Sequence, residues 1–239
     1  HELAAKHRWG LTVAHLNHQL RGLSSDADER LVRCAAARLR LPVVAERARI
    51  CRLDCAHRLS LEMAARKVRH DFLAGVAARL RIRTVALAQH ADDQVELFFL
   101  RLLRGSGGEG LAGMKWRSPS PSKPRIELVR PLLDQPKSVL RQFAAKHGIR
   151  YREDASNALL DFQRNRIRHE LLPLLRQSYQ PALDKTILRL MAIVGEEAEF
   201  VVQVARKWLE GRGRLRSEGP GLKAKGLRDC SQSLMPWQE

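Results

Sequence analysis

Hydrophobic and polar positions change period several times along these 239 residues. Short apolar runs with β-formers at 11–16 (LTVAHL), 41–46 (LPVVAE) and 84–88 (TVALA) read as strands, each followed by polar residues. Residues 26–40 open with acidic groups and place Leu31, Ala35 and Leu39 four apart, which predicts an amphipathic helix. A second helix is predicted over 60–80, with Ser60 as cap and Leu61, Ala65, Val68, Phe72, Val76 and Leu80 along one face. Val95, Leu97, Phe98, Phe99 and Leu102 predict a third over 91–104 that stops at Gly105. IELVRPLL at 126–133 returns as a strand, and 137–147 is helical up to Gly148. Residues 162–178 are helical, with Pro173 either kinking the helix or opening a second one. From Pro181 to about Glu210, the spacing of Leu183, Ile187, Leu190, Val194, Ala198, Val201, Ala205 and Trp208 predicts a long packing helix.

Strands alternating with helices predict an α/β fold with a parallel sheet, because right-handed crossovers cover both sheet faces. Ligands gather at the carboxyl ends of such strands. His15, Asn17 and His18 stand at one such end, and Gln89, His90, Asp92 and Asp93 at another. The Ser/Pro cluster at 117–125 reads as an exposed linker or hairpin loop, and 211–239 as a loose, basic, Gly-rich tail. No internal period indicates a repeat architecture.

Charge narrows the class of partner. Forty-three Lys and Arg against 26 Asp and Glu leave +17, an excess that attracts RNA, DNA or an anionic membrane. Arginine dominates, and its planar fork suits phosphates and bases. A GC-biased genome supplies arginine too, but does not by itself remove acidic residues. Cys34, Cys51, Cys55 and Cys230 are too scattered for a disulfide framework, and the CxxxC at 51–55 lacks redox or zinc spacing. No apolar run approaches the roughly 18 residues that span a bilayer, nor does the start look like a signal. The expectation is a soluble cytoplasmic protein with no membrane partner.

Three segments carry candidate chemistry. QHADDQVE at 89–96 follows a strand and opens a helix, placing Asp93 and Glu96 three apart on one face. Carboxylates there could hold an ammonium, coordinate magnesium or accept a proton; the bland alternative is favourable acidic decoration of a helix start. RLLRGSGGEGLAG at 101–113 follows a helix and lacks the GK[ST] ending of a Walker loop. It reads as a flap in which Gly105, Gly107 and Gly108 present backbone amides and Arg104 meets phosphate or developing negative charge. In DFQRNRIRHELLPLL at 161–175, Arg164, Arg166 and Arg168 alternate, so some anchor RNA while another enters the cleft; a solvated basic helix start is the alternative. AHLNHQLRG at 14–22 adds His15, Asn17 and Arg21 as nucleotide contacts or structural polar groups; a third metal ligand is missing, so the metal assignment stays unknown.

AHLNHQLRGLSSDADE, LEMAARKVRHDFL, AQHADDQVELFFLRLLRGSGGEGLAGM, VRPLLD and RNRIRHELLPLL occur in that order across roughly 11–176. Together they resemble the tRNA(Ile)-lysidine synthetase family of the PP-loop ATP pyrophosphatase superfamily. The resemblance implies a Rossmann-like PP-loop α/β fold of the adenine nucleotide alpha hydrolase type, followed by a helical domain. Its implied units are an ATP-binding domain at 1–150, a helical substrate and tRNA domain at 151–210, and a tail or incomplete domain at 211–239. The family's SGGxDS loop would precede His1, so the first unit is expected to be N-terminally incomplete.

The implied reaction adenylates C2 of the wobble cytidine of the minor isoleucine tRNA with a CAU anticodon, using ATP with Mg2+. An amino group of free L-lysine then displaces AMP to give lysidine. Carried over by the resemblance, Asp93, Arg104 and Arg166 are catalytic, Asp93 and Glu96 bind lysine, and Arg164 and Arg168 bind tRNA. His15, Asn17, His90, Asp92, Gly105, Gly107 and Gly108 line the ATP and cytidine site. A homodimer is compatible with this picture. A tRNA thiolase of the same superfamily and a catalytically inactive RNA-binding fragment are the alternatives.

Overall fold

A computed structural model of the chain describes residues 1–19, 22–48, 61–152 and 163–217. After a short helix α1 (Glu2–His7), strands and helices alternate as β1 (Val13–Asn17), α2 (Leu23–Arg38), β2 (Val43–Arg47), α3 (Leu61–Arg79), β3 (Thr84–Ala86) and α4 (Ala91–Leu102). A single-turn α5 (Gly108–Leu111), strands β4 (Arg117–Pro119) and β5 (Glu127–Val129), and α6 (Lys137–Lys146) follow. The remainder is helical: α7 (Gln163–Arg166), a π-helical turn at Ile167–Leu171, α8 (Leu172–Ser178) and the long α9 (Leu183–Ser217).

The parallel α/β arrangement expected from the alternation is present. β1 pairs with β2 in parallel, from Val13 opposite Val43 to Asn17 opposite Arg47. β3 pairs with β5 in parallel, and β4 joins β5 antiparallel at the edge. The Ser/Pro segment is therefore the start and turn of a hairpin, not a linker. The strand expected over 126–133 is shorter than its apolar run, because Pro131 has no amide to donate and the chain turns there. A lone parallel bridge between His90 and Leu132 extends the pairing beyond the strands, to the start of α4.

Two cores hold these layers. Ala74 and Ala77 of α3 meet Ile126, with Ile82 and Val85 packed alongside. Among the described side chains of α3, Ala64, Ala74, Val76 and Ala77 are buried; Val76 belongs to the expected stripe, whereas Leu80 at its end is exposed, and the small residues let the helix lie close over both β1 and β3. The larger core joins Val95, Phe98 and Phe99 of α4 to Ile167, Leu172, Leu183, Ile187 and Met191. Its two phenylalanines meet edge to face, with centroids 5.4 Å apart. α4 is thus shared between the sheet-bearing part and the helices that follow.

Local chemistry sets several boundaries. Asp93 accepts a hydrogen bond from the His90 backbone amide at 3.1 Å, closing the first turn of α4. Asp92 reaches outward instead and accepts from the Lys137 amide at 2.8 Å, which starts α6 after Pro136. The 162–178 helix is interrupted as Pro173 allows: a π-helical turn precedes it and Pro173 sits in the first turn of α8. The stretch expected to be loose from 211 is helical in backbone as far as Ser217, where α9 ends. Ser60, the Cys51/Cys55 pair, Arg21 and residues 218–239 lie outside the described residues. No helix among the described residues is long and apolar enough to cross a membrane.

Candidate active site

At the carboxyl end of β1, Asn17 is 2% exposed and every polar atom of its side chain is engaged. Its Nδ2 donates to Asp26 Oδ1 at 3.0 Å and Glu29 Oε2 at 3.1 Å, while its Oδ1 accepts from the Gln19 amide at 2.9 Å. Asn17 therefore fastens the turn from β1 into α2, and sits beneath the surface that the sequence assigned it to line. Its bond, with Arg33 and Arg47, holds the Glu29 carboxyl down at about 2 against the opposing effect of burial. His15 Nε2 and His18 Nδ1 are buried without a hydrogen-bond partner. Burial lowers both imidazoles, His18 to about 4, with Arg69 and His15 adding to its shift. Neutral imidazoles beside unused nitrogen positions are what a base or ribose hydroxyl could meet.

The second strand end carries the strongest charge constellation. Glu96 on α4 is 2% exposed and bound by two guanidinium groups. Arg164 Nε reaches Glu96 Oε2 at 2.7 Å and its Nη2 reaches Asp93 Oδ1 at 2.7 Å. Arg168 donates from Nε and Nη2 to the two oxygens of Glu96, at 2.6 and 2.8 Å. The bond to Glu96 pushes the Arg168 guanidinium above its ordinary range. Arg164 and Arg168, four apart, thus share one helical face against α4, while Arg166 points elsewhere: it is 65% exposed and pairs with Glu170 at 3.4 Å. The alternation seen in the sequence is real, but the inward pair is 164 and 168, the two arginines assigned there to RNA, and the outward one is 166, assigned there to the cleft.

His90 lies between the two aspartates, Nδ1 3.6 Å from Asp92 and Nε2 3.6 Å from Asp93. The glycine-rich segment is anchored to the same helix. Gln94 donates from Nε2 to the Met114 carbonyl at 2.9 Å and accepts from its amide at 2.8 Å, as a backbone partner would. Arg101, not Arg104, grips the segment, donating to the carbonyls of Gly110 and Gly113; Arg104 is exposed one turn on. Gly105 ends α4 with φ +72°, while Gly107 and Gly108 open α5. At Gly113, φ is +78° and an added Cβ would lie 2.2 Å from Met191 Cε, so a larger residue there strains the backbone and pushes the Met191 side chain aside.

A cationic cluster that the sequence did not single out joins the strand ends. Arg69 on α3 donates to His18 Nε2 at 3.4 Å, beyond β1. Arg130, buried at the end of β5, donates to Gln89 Oε1 at 2.6 Å, beyond β3, and to the Lys115 carbonyl at 2.7 Å. Arg66 repels Arg101, Arg130 and His70, lowering each further after burial has done so. A cavity of about 550 Å³ is lined by Arg66, Lys67, His70 and Arg130 with Leu128 and Pro119, and by one carboxylate, Asp71, which accepts from Ser122. Mutually repelling cations held together with a buried, unpartnered His70 Nδ1 make a strong attractor for a polyphosphate. Its sequence signal was the i, i+3, i+4 spacing of Arg66, Arg69 and His70 on α3.

The described residues include no group of three His, Cys, Asp or Glu side chains that could hold a metal ion. Asp92 and Asp93, the carboxylates nearest the strand end, are already committed to backbone amides and Arg164.

The PP-loop domain family matches residues 1–175. The chain is 38% identical over 215 residues to a tRNA(Ile)-lysidine synthase of Geobacter sulfurreducens, covering 90% of this chain and 44% of that protein. To the corresponding synthase of Dehalococcoides mccartyi it is 36% identical, covering 98% of this chain and 53% of the relative. It thus spans about half the length of the curated relatives it matches. Among solved structures, the U34-tRNA thiolase NcsA of Methanococcus maripaludis, with its [4Fe-4S] cluster, superposes with a TM-score of 0.61 at 12% identity. That match covers 81% of this chain and 65% of the thiolase, and shows a shared fold.

Proposed function

The chain belongs to the PP-loop family, where its relatives are tRNA(Ile)-lysidine synthases, and from that premise we propose that it ligates lysine to a tRNA base at the expense of ATP. In this reading the wobble cytidine of a CAU-anticodon isoleucine tRNA attacks the α-phosphorus of ATP through O2 and releases pyrophosphate. A lysine amine then adds at C2, loses a proton, and displaces AMP to leave lysidine.

The observation that carries the reading is the pairing of two opposite fields at adjoining strand ends. Arg66, Arg69, Arg101 and Arg130 supply a cationic seat for a triphosphate, and Asp93, beside the buried Glu96, supplies the carboxylate an ammonium needs. Arg164 is bonded to Asp93, so an incoming amine displaces it there, while Glu96 with Arg168 holds α7 and the π-helical turn on α4. Asp93 is then also the proton acceptor as the amine attacks. Neutral His15 and His18 face the base or ribose. Magnesium would arrive on the phosphates, as it often does, and no side-chain role assigned here runs through it.

The test is incubation of the 239-residue chain, alone and extended by an N-terminal SGGxDS segment, with ATP, magnesium, labelled lysine and the CAU tRNA. Nucleoside mass spectrometry should find lysidine at the wobble position, strongly reduced with Asp93→Asn. Sulfur in the base instead of lysine would favour a thiolase, and tRNA binding with neither product would favour an RNA-binding protein.

A further inference from the structure

α2 and the segment after α6 enclose a cleft of about 880 Å³, lined by Leu31, Ala35, Arg30, Arg38, Arg150 and Tyr151. No acidic side chain among the described residues lines it. Arg152 pins the far wall to α2, its Nε 2.7 Å from Asp28 Oδ1 and its Nη2 3.5 Å from Ser24 Oγ. Arg30, Arg38 and Arg150 form no ion pair among the described residues. On α2 the two arginines stand eight residues apart on one stripe, about 12 Å along the axis. That is too far for both to converge on one phosphate. Tyr151 is 55% exposed, with Ile149 beside it.

We propose that this cleft holds an RNA strand, its successive phosphates met by Arg30, Arg38 and Arg150 and a base stacked on Tyr151. Separated guanidinium groups match a chain of phosphates, and an exposed aromatic ring gives a base its face. A bilayer surface cannot enter a concave cleft, and an isolated anion would leave most of it unfilled. Asp26 and Glu29, which hold Asn17 at the end of β1, lie on the opposite face of the same helix, so the cleft runs along the outer side of the helix that leads away from the candidate active site. The proposal rests on the tRNA-modifying reading and assigns a path for RNA along the outside of that helix.

The experiment is fluorescence anisotropy of labelled CAU tRNA across a salt series. Replacing Arg30, Arg38 and Arg150 together by Gln should weaken binding at least about tenfold and flatten the slope of log K against log salt by about two to three. The corresponding Lys variant, which keeps the charges, should retain the slope, and Tyr151→Ala should weaken binding with the slope unchanged. ATP binding should stay at the wild-type level in all of them. Wild-type affinity and slope in the Gln variant would overturn this path while leaving the functional reading intact, provided lysidine still forms. Equal competition by DNA of the same sequence or by an acidic peptide would overturn the assignment to RNA. Failure of the wild-type chain to bind tRNA would overturn both this proposal and the function it rests on.

Discussion

Arg168 closes on Glu96 with both arms of its fork, 2.6 Å from one carboxylate oxygen and 2.8 Å from the other, and it does so from a helix 72 residues further along the chain. A carboxylate 2% exposed tolerates this environment only because guanidinium groups replace its lost water. Removing Arg168 leaves the buried carboxylate to Arg164 alone, with its Oε1 unpaired. Arg168→Ala should therefore cost about 3 kcal/mol, seen as a lower urea midpoint at constant slope. Arg168→Lys should recover only part of it, because a point charge cannot span two oxygens. Arg166→Ala, which breaks an exposed i,i+4 pair, should change stability by no more than about 0.5 kcal/mol.

The glycine-rich segment offers a second contrast. Gly113 combines φ +78° with a would-be Cβ close to Met191 and Gln94, so Gly113→Ala brings both backbone strain and a clash. Gly105 has a similar φ but open space around it, and Gly75 lies inside α3 with nothing within 4 Å. The expected order is a loss above about 1 kcal/mol for Gly113→Ala, a smaller loss for Gly105→Ala, and a gain of about 0.5 kcal/mol for Gly75→Ala. Thermal melts of the three single variants decide it, and equal effects at 105 and 113 would show that packing against Met191 contributes nothing.

Much of this was legible in the chain, and what was not has physical causes. Short apolar runs of β-formers located β1, β2 and β3, and period-3.6 runs located α2, α4 and α9, because burial of whole strands and of one helix face leaves those patterns. The five ordered motifs pointed to the family that the residues 1–175 match. What a linear reading cannot supply is who neutralises whom. The spacing of Asp93 and Glu96 puts them on one helix face, but it does not tell that Arg164 and Arg168 arrive there from across the shared core. Asn17 reads from the sequence as either a nucleotide contact or a structural polar group, and two carboxylates on α2 claim its amide. Arg130 was hidden in a strand motif, and its importance comes from Arg66, on a different element.

Acid should destabilise the protein in two stages. His18 is held near 4 in the folded chain, first by burial and then by Arg69 and His15, whereas an unfolded histidine titrates near 6.5. The unfolded state therefore binds this proton more readily. The stability that results is complete above pH 6.5 and is lost as pH falls from there toward 4. His15 and His70 are lowered as well, first by burial, and add to the loss in the same direction as pH falls below 6.5. Glu29, held at about 2 against an ordinary 4.5, contributes above pH 4.5, and that contribution is lost as pH falls toward 2. Urea midpoints measured from pH 8 to 3 should show both declines, with His18→Gln flattening the upper one and leaving the lower. A flat profile between pH 7 and 5 would mean that the imidazoles are not buried in neutral form.

Arg164 makes the sharpest prediction about the proposed reaction, because it stands where a substrate ammonium would have to sit. Its Nη2 is 2.7 Å from Asp93 and its Nε 2.7 Å from Glu96, so binding an amine at Asp93 requires one of those bonds to break. Part of the intrinsic affinity for lysine is then offset by displacing the guanidinium. Arg164→Gln removes the competitor and leaves Arg168 on Glu96, so the KM for lysine should fall several-fold while the KM for tRNA stays the same. Asp93→Asn should do the opposite, weakening lysine on the order of tenfold or more through loss of a charge-assisted hydrogen bond. If Arg164 instead orients a reacting group, Arg164→Gln will lower kcat with the KM for lysine unchanged. The division between KM and kcat in that one variant therefore decides whether the arginine is a stand-in for the substrate or a part of the machinery.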